Sequence, residues 1–149
     1  MKINSKTLIW VGWFLFLICL LLPTSIKNNS TEPGWHLASA TIMAAMDFND
    51  IFHRGWKYLY FAAPSLGNML ILLAPLVLLV KKRNLALILS VTMILYGFLA
   101  ASYVFYTGHE LEGTFTWGYY VWVVSFFVVG IGSMLYYQSV SSLAPENKR

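Results

Sequence analysis

Charge is scarce in this 149-residue sequence, and it is missing altogether from the four longest apolar stretches. Only 11% of the residues are Asp, Glu, Lys or Arg, and residues 7–26, 58–80, 85–106 and 117–137 contain none of these and no His. Proton relays, voltage sensors and ion-coupled carriers ordinarily work through ionisable groups at membrane depth. Their absence argues against a proton-coupled transporter built from a single chain. Cysteine is limited to Cys19, which rules out an internal disulfide and a cysteine-based metal site. Catalytic signatures are missing too: there is no HExxH, no GxSxG and no Gly-rich phosphate loop. No repeat relates the two halves of the chain, so the inverted-repeat signature of many transporters is also lacking.

What the sequence has in plenty is apolar surface. It is 58% hydrophobic and 17% aromatic, with a mean hydropathy of +0.65. A soluble chain of this size has too high a surface-to-volume ratio to hide so much of it, whereas lipid can. Crossing the hydrocarbon takes ~20 helical residues, and each of the four stretches is long enough. In lipid the backbone must satisfy its own hydrogen bonds, which makes each of them a helix. The expected fold class is therefore all-α integral membrane, a four-transmembrane-helix bundle forming a single polytopic domain over residues 1–149. A cleaved signal peptide, with Lys2 and Lys6 as its charged region, is the rival reading of the first stretch. Its apolar core runs on to Leu22 and no small-x-small cleavage site follows, which favours an uncleaved span.

Orientation follows from the basic residues. Lys2, Lys6, Lys81, Lys82, Arg83, Lys148 and Arg149, seven of the ten, fall on one side when the chain crosses four times. The positive-inside rule then places both termini in the cytoplasm, with the compact loops pointing to a bacterial inner membrane. The net charge of +4 carries no nucleic-acid signal, because the basic residues are scattered at helix ends and form no stripe.

The outer connection between the first two spans is long. Its start, residues 28–34, reads as a turn region. Residues 35–52 are rich in Ala and Met, both strong helix formers, but too polar at the end for a fifth span. The expectation is an additional amphipathic interfacial helix in this outer loop. At ~100° per residue, His36, Met43, Asp47, Asp50 and Arg54 share one side, and Trp35, Ala38, Ile42, Ala45, Met46 and Phe52 gather on another.

Three sets of residues are candidates for a role. His36, Asp47, Asp50, His53, His109, Glu110 and Glu112 all fall on the outer side, and imidazole with carboxylate suits zinc or another divalent ion. No single helix aligns them, so a metal would need ligands from both outer loops. The plainer reading is surface charge, with Asp50 and Arg54 at the i,i+4 spacing of an ordinary ion pair. No cofactor is expected. Trp35, Trp56, Tyr106, Trp117 and Trp122 belong to a crowd of aromatics at the outer interface. They suit an interfacial belt, or a cup for a lipid, a quinone or a partner helix. Ala63 with Gly67, Gly97 with Ala101, and Gly130 have the small side chains that let helices approach closely, within the bundle or between subunits. Asn68, Thr92, Tyr96, Ser102 and Ser125 read as interhelical hydrogen-bonding residues.

The expected function is that of a small non-enzymatic membrane protein, accessory, protective (immunity-like) or a complex partner. It would act through helix–helix and outer-cap contacts. Its partners are the lipid bilayer and another membrane protein or itself, with no nucleic acid. The alternatives are an oligomeric small carrier or channel subunit, and a membrane enzyme or ligand-binding subunit using the outer His/Asp/Glu cluster and the aromatic cup.

Overall fold

The computed structural model describes residues 4–27, 30–46, 56–80, 82–107 and 114–143. These residues are almost entirely helical. They form α1 (Ser5–Leu21), α2 (Gly34–Met46), α3 (Trp56–Val80), α4 (Arg83–Thr107) and α5 (Trp117–Leu143), with three short strands, β1 (Pro23–Lys27), β2 (Ser30–Pro33) and β3 (Thr114–Phe115). Two helical stretches, Arg83–Ser102 and Trp117–Ser142, are long and apolar enough to cross a membrane. Ser5–Leu21 and Leu66–Val80 are shorter apolar helices.

Helix α1 begins at Asn4, whose side chain accepts the Lys6 backbone N–H at 3.1 Å and so caps the first turn. It stops at Leu21, five residues short of the expected end at residue 26. The cause is Pro23. A proline disfavours the helical conformation of the residue before it, and Leu22 is accordingly extended, at φ −80° and ψ 151°. The Leu22 N–H still closes the last turn on the Ile18 carbonyl at 3.2 Å.

Beyond Pro23 the chain does something an all-α reading does not contain. β1 pairs antiparallel with β2 in the register Ser25–Glu32, Ile26–Thr31 and Lys27–Ser30, and antiparallel with β3 through Ser25–Phe115 and Ile26–Thr114. The sheet order is β2-β1-β3. The turn region expected over residues 28–34 is thus mostly strand, and the almost entirely helical fold also carries a small sheet that ties together two connections far apart in sequence.

Helix α5 lies at the centre of the helices. It packs between α1 and α4, while α3 rests mainly on α2 and α4. Close approach relies on glycine on both sides. A Cβ at Gly12 of α1 would fall 2.6 Å from the Val129 side chain, and one at Gly130 would fall 2.7 Å from Ile94 of α4. Ile9, Phe16, Ile71, Met93, Phe126 and Val129 fill the space between the helices and are fully buried. The opposite faces of α3 and α4 carry exposed Leu66, Leu72, Leu79, Val91, Leu95 and Phe98.

The sheet gathers the end of α1 and the start of α5 at one end of the molecule. At the other end the Arg83 guanidinium donates to the Tyr137 hydroxyl at 2.8 Å and sits 4.8 Å above its ring. Charged residues stand at both ends, with Lys27 closing β1 and Lys57 in the first turn of α3. Exposed Lys6, Lys82 and Arg83 lie at the end away from the sheet, and Glu32 and His36 at the sheet end.

The helix expected over residues 35–52 is α2 as far as Met46, and residues 47–52 lie outside the described residues. His36 and Met43 are exposed, and Ala38 and Ile42 are half-buried, as the two faces require. Trp35 departs from the pattern. It is 56% exposed, because the tight contact that α2 makes with α1 is through its neighbour Gly34.

Candidate functional site

The sheet end forms a cap held together by backbone groups. The Gly34 N–H donates to the Leu22 carbonyl at 2.8 Å, which starts α2 directly beside the end of α1. The Thr116 N–H donates to the Thr24 carbonyl at 3.1 Å, and the Thr116 hydroxyl donates to the Pro23 carbonyl. Thr24 is itself buried and donates its hydroxyl to the Glu32 carbonyl at 3.2 Å. The Tyr119 N–H returns to the Thr116 carbonyl at 3.0 Å and opens α5. Each of these bonds fixes backbone, so the residues that follow are presented from a rigid base.

Two kinds of aromatic residue rise from that base. Phe115 of β3 stacks on a ladder of Tyr119, Trp122 and Phe126 down one side of α5 at the i,i+3 and i,i+4 spacings, with ring centroids 4.3, 5.4 and 5.2 Å apart in turn. The ladder points inward and its polar atoms are used there. The Tyr119 hydroxyl donates to the Ala100 carbonyl, and the Trp122 indole N–H donates to Asn68 Oδ1 at 2.8 Å in a buried setting. Trp117, Tyr120 and Trp35 point the other way. Trp117 is 80% exposed, the most open of the three.

The candidate residues are distributed unevenly over this geometry. Trp35 and Trp117 stand exposed at the cap, whereas Trp122, expected at a contact surface, lies in the core with its N–H engaged. The side chains of Trp56, Tyr106 and Ala63 lie outside the described ones. A Cβ at Gly67 would fall 3.0 Å from the Phe126 and Tyr96 rings and one at Gly97 would fall 2.9 Å from the Phe127 ring, and Ala101 is half-buried. Those contacts are all within the chain. Of the interhelical polar residues, Asn68 and Ser125 are buried, and Thr92 and Ser102 donate to carbonyls of their own helix at 2.7 and 2.8 Å.

Of the His/Asp/Glu set only His36 is described. Its Nδ1 lies 3.7 Å from Glu32 Oε2, both side chains being open to solvent. Asp47, Asp50, His53, His109, Glu110 and Glu112 lie outside the described residues, among which no group of three metal-ligating side chains occurs. Under the cap, between Cys19, Leu20, Thr24, Gly34, Ala38 and Trp122, the free space is about 10 Å³. That volume holds about one water molecule.

Compared with known protein families, curated proteins and solved structures, the chain matches none. The cap must therefore be read from its own chemistry. The sheet and the Tyr119–Trp122–Asn68 layer were both missed in the sequence reading, and only the sheet left a signal there. Asn28-Asn29 separates two short runs containing Thr24, Ile26 and Thr31, and a two-residue connection with Asn is a hairpin signature.

Proposed function

We propose that this chain is a four-span protein of a bacterial inner membrane, with both termini in the cytoplasm and α2 lying at the outer interface. It works by contact with another membrane protein, in an accessory or protective role, through the cap at the sheet end. The membrane reading is supported by four apolar helices, by the leucine-rich outward faces of α3 and α4, and by the sequence distribution that puts seven of the ten basic residues on one side of a four-span chain. One observation carries the contact reading. Trp117 is held 80% exposed on a base of paired backbone, while the aromatic ladder beside it is spent on packing. Rigid, exposed tryptophan is the kind of anchor that dominates protein interfaces. An interfacial belt needs aromatic residues at that depth but no sheet to hold them.

A photo-crosslinking residue in place of Trp117 tests this in native membranes, with the same residue in place of exposed Phe14 in the middle of α1 as the comparison. A single discrete protein adduct from position 117, with lipid adducts alone from position 14, is expected. The adduct should persist when His109→Ala or Glu112→Ala is added. Its loss on those changes would favour a metal-dependent site. Lipid adducts alone from both positions would remove the contact reading.

A further inference from the structure

Toward the end away from the sheet, α3 and α4 border an open apolar groove of about 270 Å³. Its walls include Leu70, Leu73 and Val80 of α3 with Leu85, Ile88 and Thr92 of α4. The one hydroxyl among these is already used, since Thr92 donates to the Ile88 carbonyl at 2.7 Å. From Leu70 to Val80 the groove runs ~15 Å at the helical rise. That is half of the ~30 Å hydrocarbon thickness, the depth of one leaflet. One end of the groove, at Val80 and Leu85, adjoins the connection from α3 to α4, and Lys82 and Arg83 stand exposed beside it in sequence, outside the lining itself. Arg83 gives one N–H to Tyr137; a guanidinium has five.

We propose that this groove seats one acyl chain of an anionic phospholipid from the adjoining leaflet, with the lipid phosphate against Lys82 and Arg83. The inference rests on the membrane reading above and adds a specific lipid partner to it. Three features agree. The wall is apolar along its length, the length is that of a leaflet, and the described charges beside its Val80–Leu85 end are positive, which the membrane reading puts at phosphate depth. A second copy of the chain fits less well. Copies in one membrane share an orientation, so a symmetric pair meeting at this groove would bring Lys82 and Arg83 of both copies to the same depth, like charge against like.

The test uses the full-length chain purified in detergent and mixed with equal amounts of dioleoylphosphatidylglycerol and dioleoylphosphatidylcholine, followed by native mass spectrometry. The two lipids have the same chains and differ in headgroup charge. Phosphatidylglycerol adducts should exceed phosphatidylcholine adducts by roughly thirtyfold, the factor expected of two basic residues near a lipid headgroup. Lys82→Glu should bring the two lipids close to parity. Ile88→Trp, which fills the groove from an exposed position, should reduce adducts of both. Equal binding of the two lipids to the wild-type chain, adducts indifferent to Ile88→Trp, or a lipid-free dimer abolished by Ile88→Trp would each overturn the proposal. Alkaline carbonate washing of the source membranes separates the two levels. A chain that washes off overturns the membrane reading as well, whereas a chain that stays and shows no headgroup preference overturns the lipid site alone.

Discussion

Gly34→Ala should lower the stability of the detergent-solubilised protein by ~3 kcal/mol, at the upper end of the usual range for overpacking. A Cβ at this position would lie 2.0 Å from the Cys19 carbonyl oxygen and 2.9 Å from its carbon. Both atoms belong to the backbone of α1, so no rotamer change relieves the contact. The available response is for α2 to move away from α1, which stretches the 2.8 Å bond from the Gly34 N–H to the Leu22 carbonyl. That bond joins the sheet to the start of α2, so the loss spreads into the cap. In a thermal melt followed by circular dichroism the midpoint should fall by roughly 10 °C. Met43→Ala is the control on the same helix, because Met43 is exposed and surface changes of this kind stay within about 0.5 kcal/mol. Equal midpoints for Gly34→Ala and the wild type would mean that α2 does not start against Cys19.

Trp122→Ala should be at least as damaging, at ~3–5 kcal/mol, the range for truncating a buried tryptophan. The ring is 6% exposed and sits between Tyr119 and Phe126 in the ladder, so its removal leaves both neighbours facing a void. Its N–H is a separate matter. Trp122→Phe keeps much of the ring and removes the donor to Asn68 Oδ1, while Asn68→Leu keeps the donor and removes this acceptor. Each should cost about 1–3 kcal/mol, the penalty of a buried polar group losing its partner. The double change should cost less than the sum, with a coupling of about 0.6–1.7 kcal/mol, as for hydrogen bonds between membrane helices. Additive losses, measured by the same melts, would show that the Asn68–Trp122 bond does not form.

These two sites mark where the sequence was legible and where it was not. The positions of α3, α4 and α5 were readable to within a few residues at most ends, because a long uncharged run has one satisfactory conformation in lipid. α5 does continue past the expected residue 137 to Leu143, carrying Ser139, Ser141 and Ser142, each of which donates to a helix carbonyl three or four residues back. The end of α1 was misplaced by hydropathy alone, since Pro23 acts through the conformation of Leu22 and not through polarity. The β1–β2 hairpin left only the weak Asn28-Asn29 signal, and the pairing with β3 left none. The strands are two to five residues long, and β3 joins β1 across some 90 positions, as Thr116 and Pro23 illustrate. Facing was the least legible property of all. α5 is apolar on every side, and such a helix has no polar stripe to tell inside from outside. Trp117 and Trp122 therefore looked alike, although one is exposed at the cap and the other is buried against Asn68. The glycines separate them in retrospect, since the faces of α5 that carry Gly130 and Gly132 are those pressed on α4 and α1.

The central claim is that the chain crosses the membrane four times with the sheet end outside, and topology mapping in intact cells tests it most directly. In a Cys19→Ser background, single cysteines at Asn28, beside the hairpin, and at Lys82, at the far end, are exposed to an impermeant thiol reagent. Reporter fusions after Arg149 give an independent reading of the terminus. The account predicts outside labelling at position 28, none at position 82 until the cells are opened, and a cytoplasmic signal from the terminal reporter. Labelling of position 82 from outside, or of both positions equally in intact cells, would contradict it.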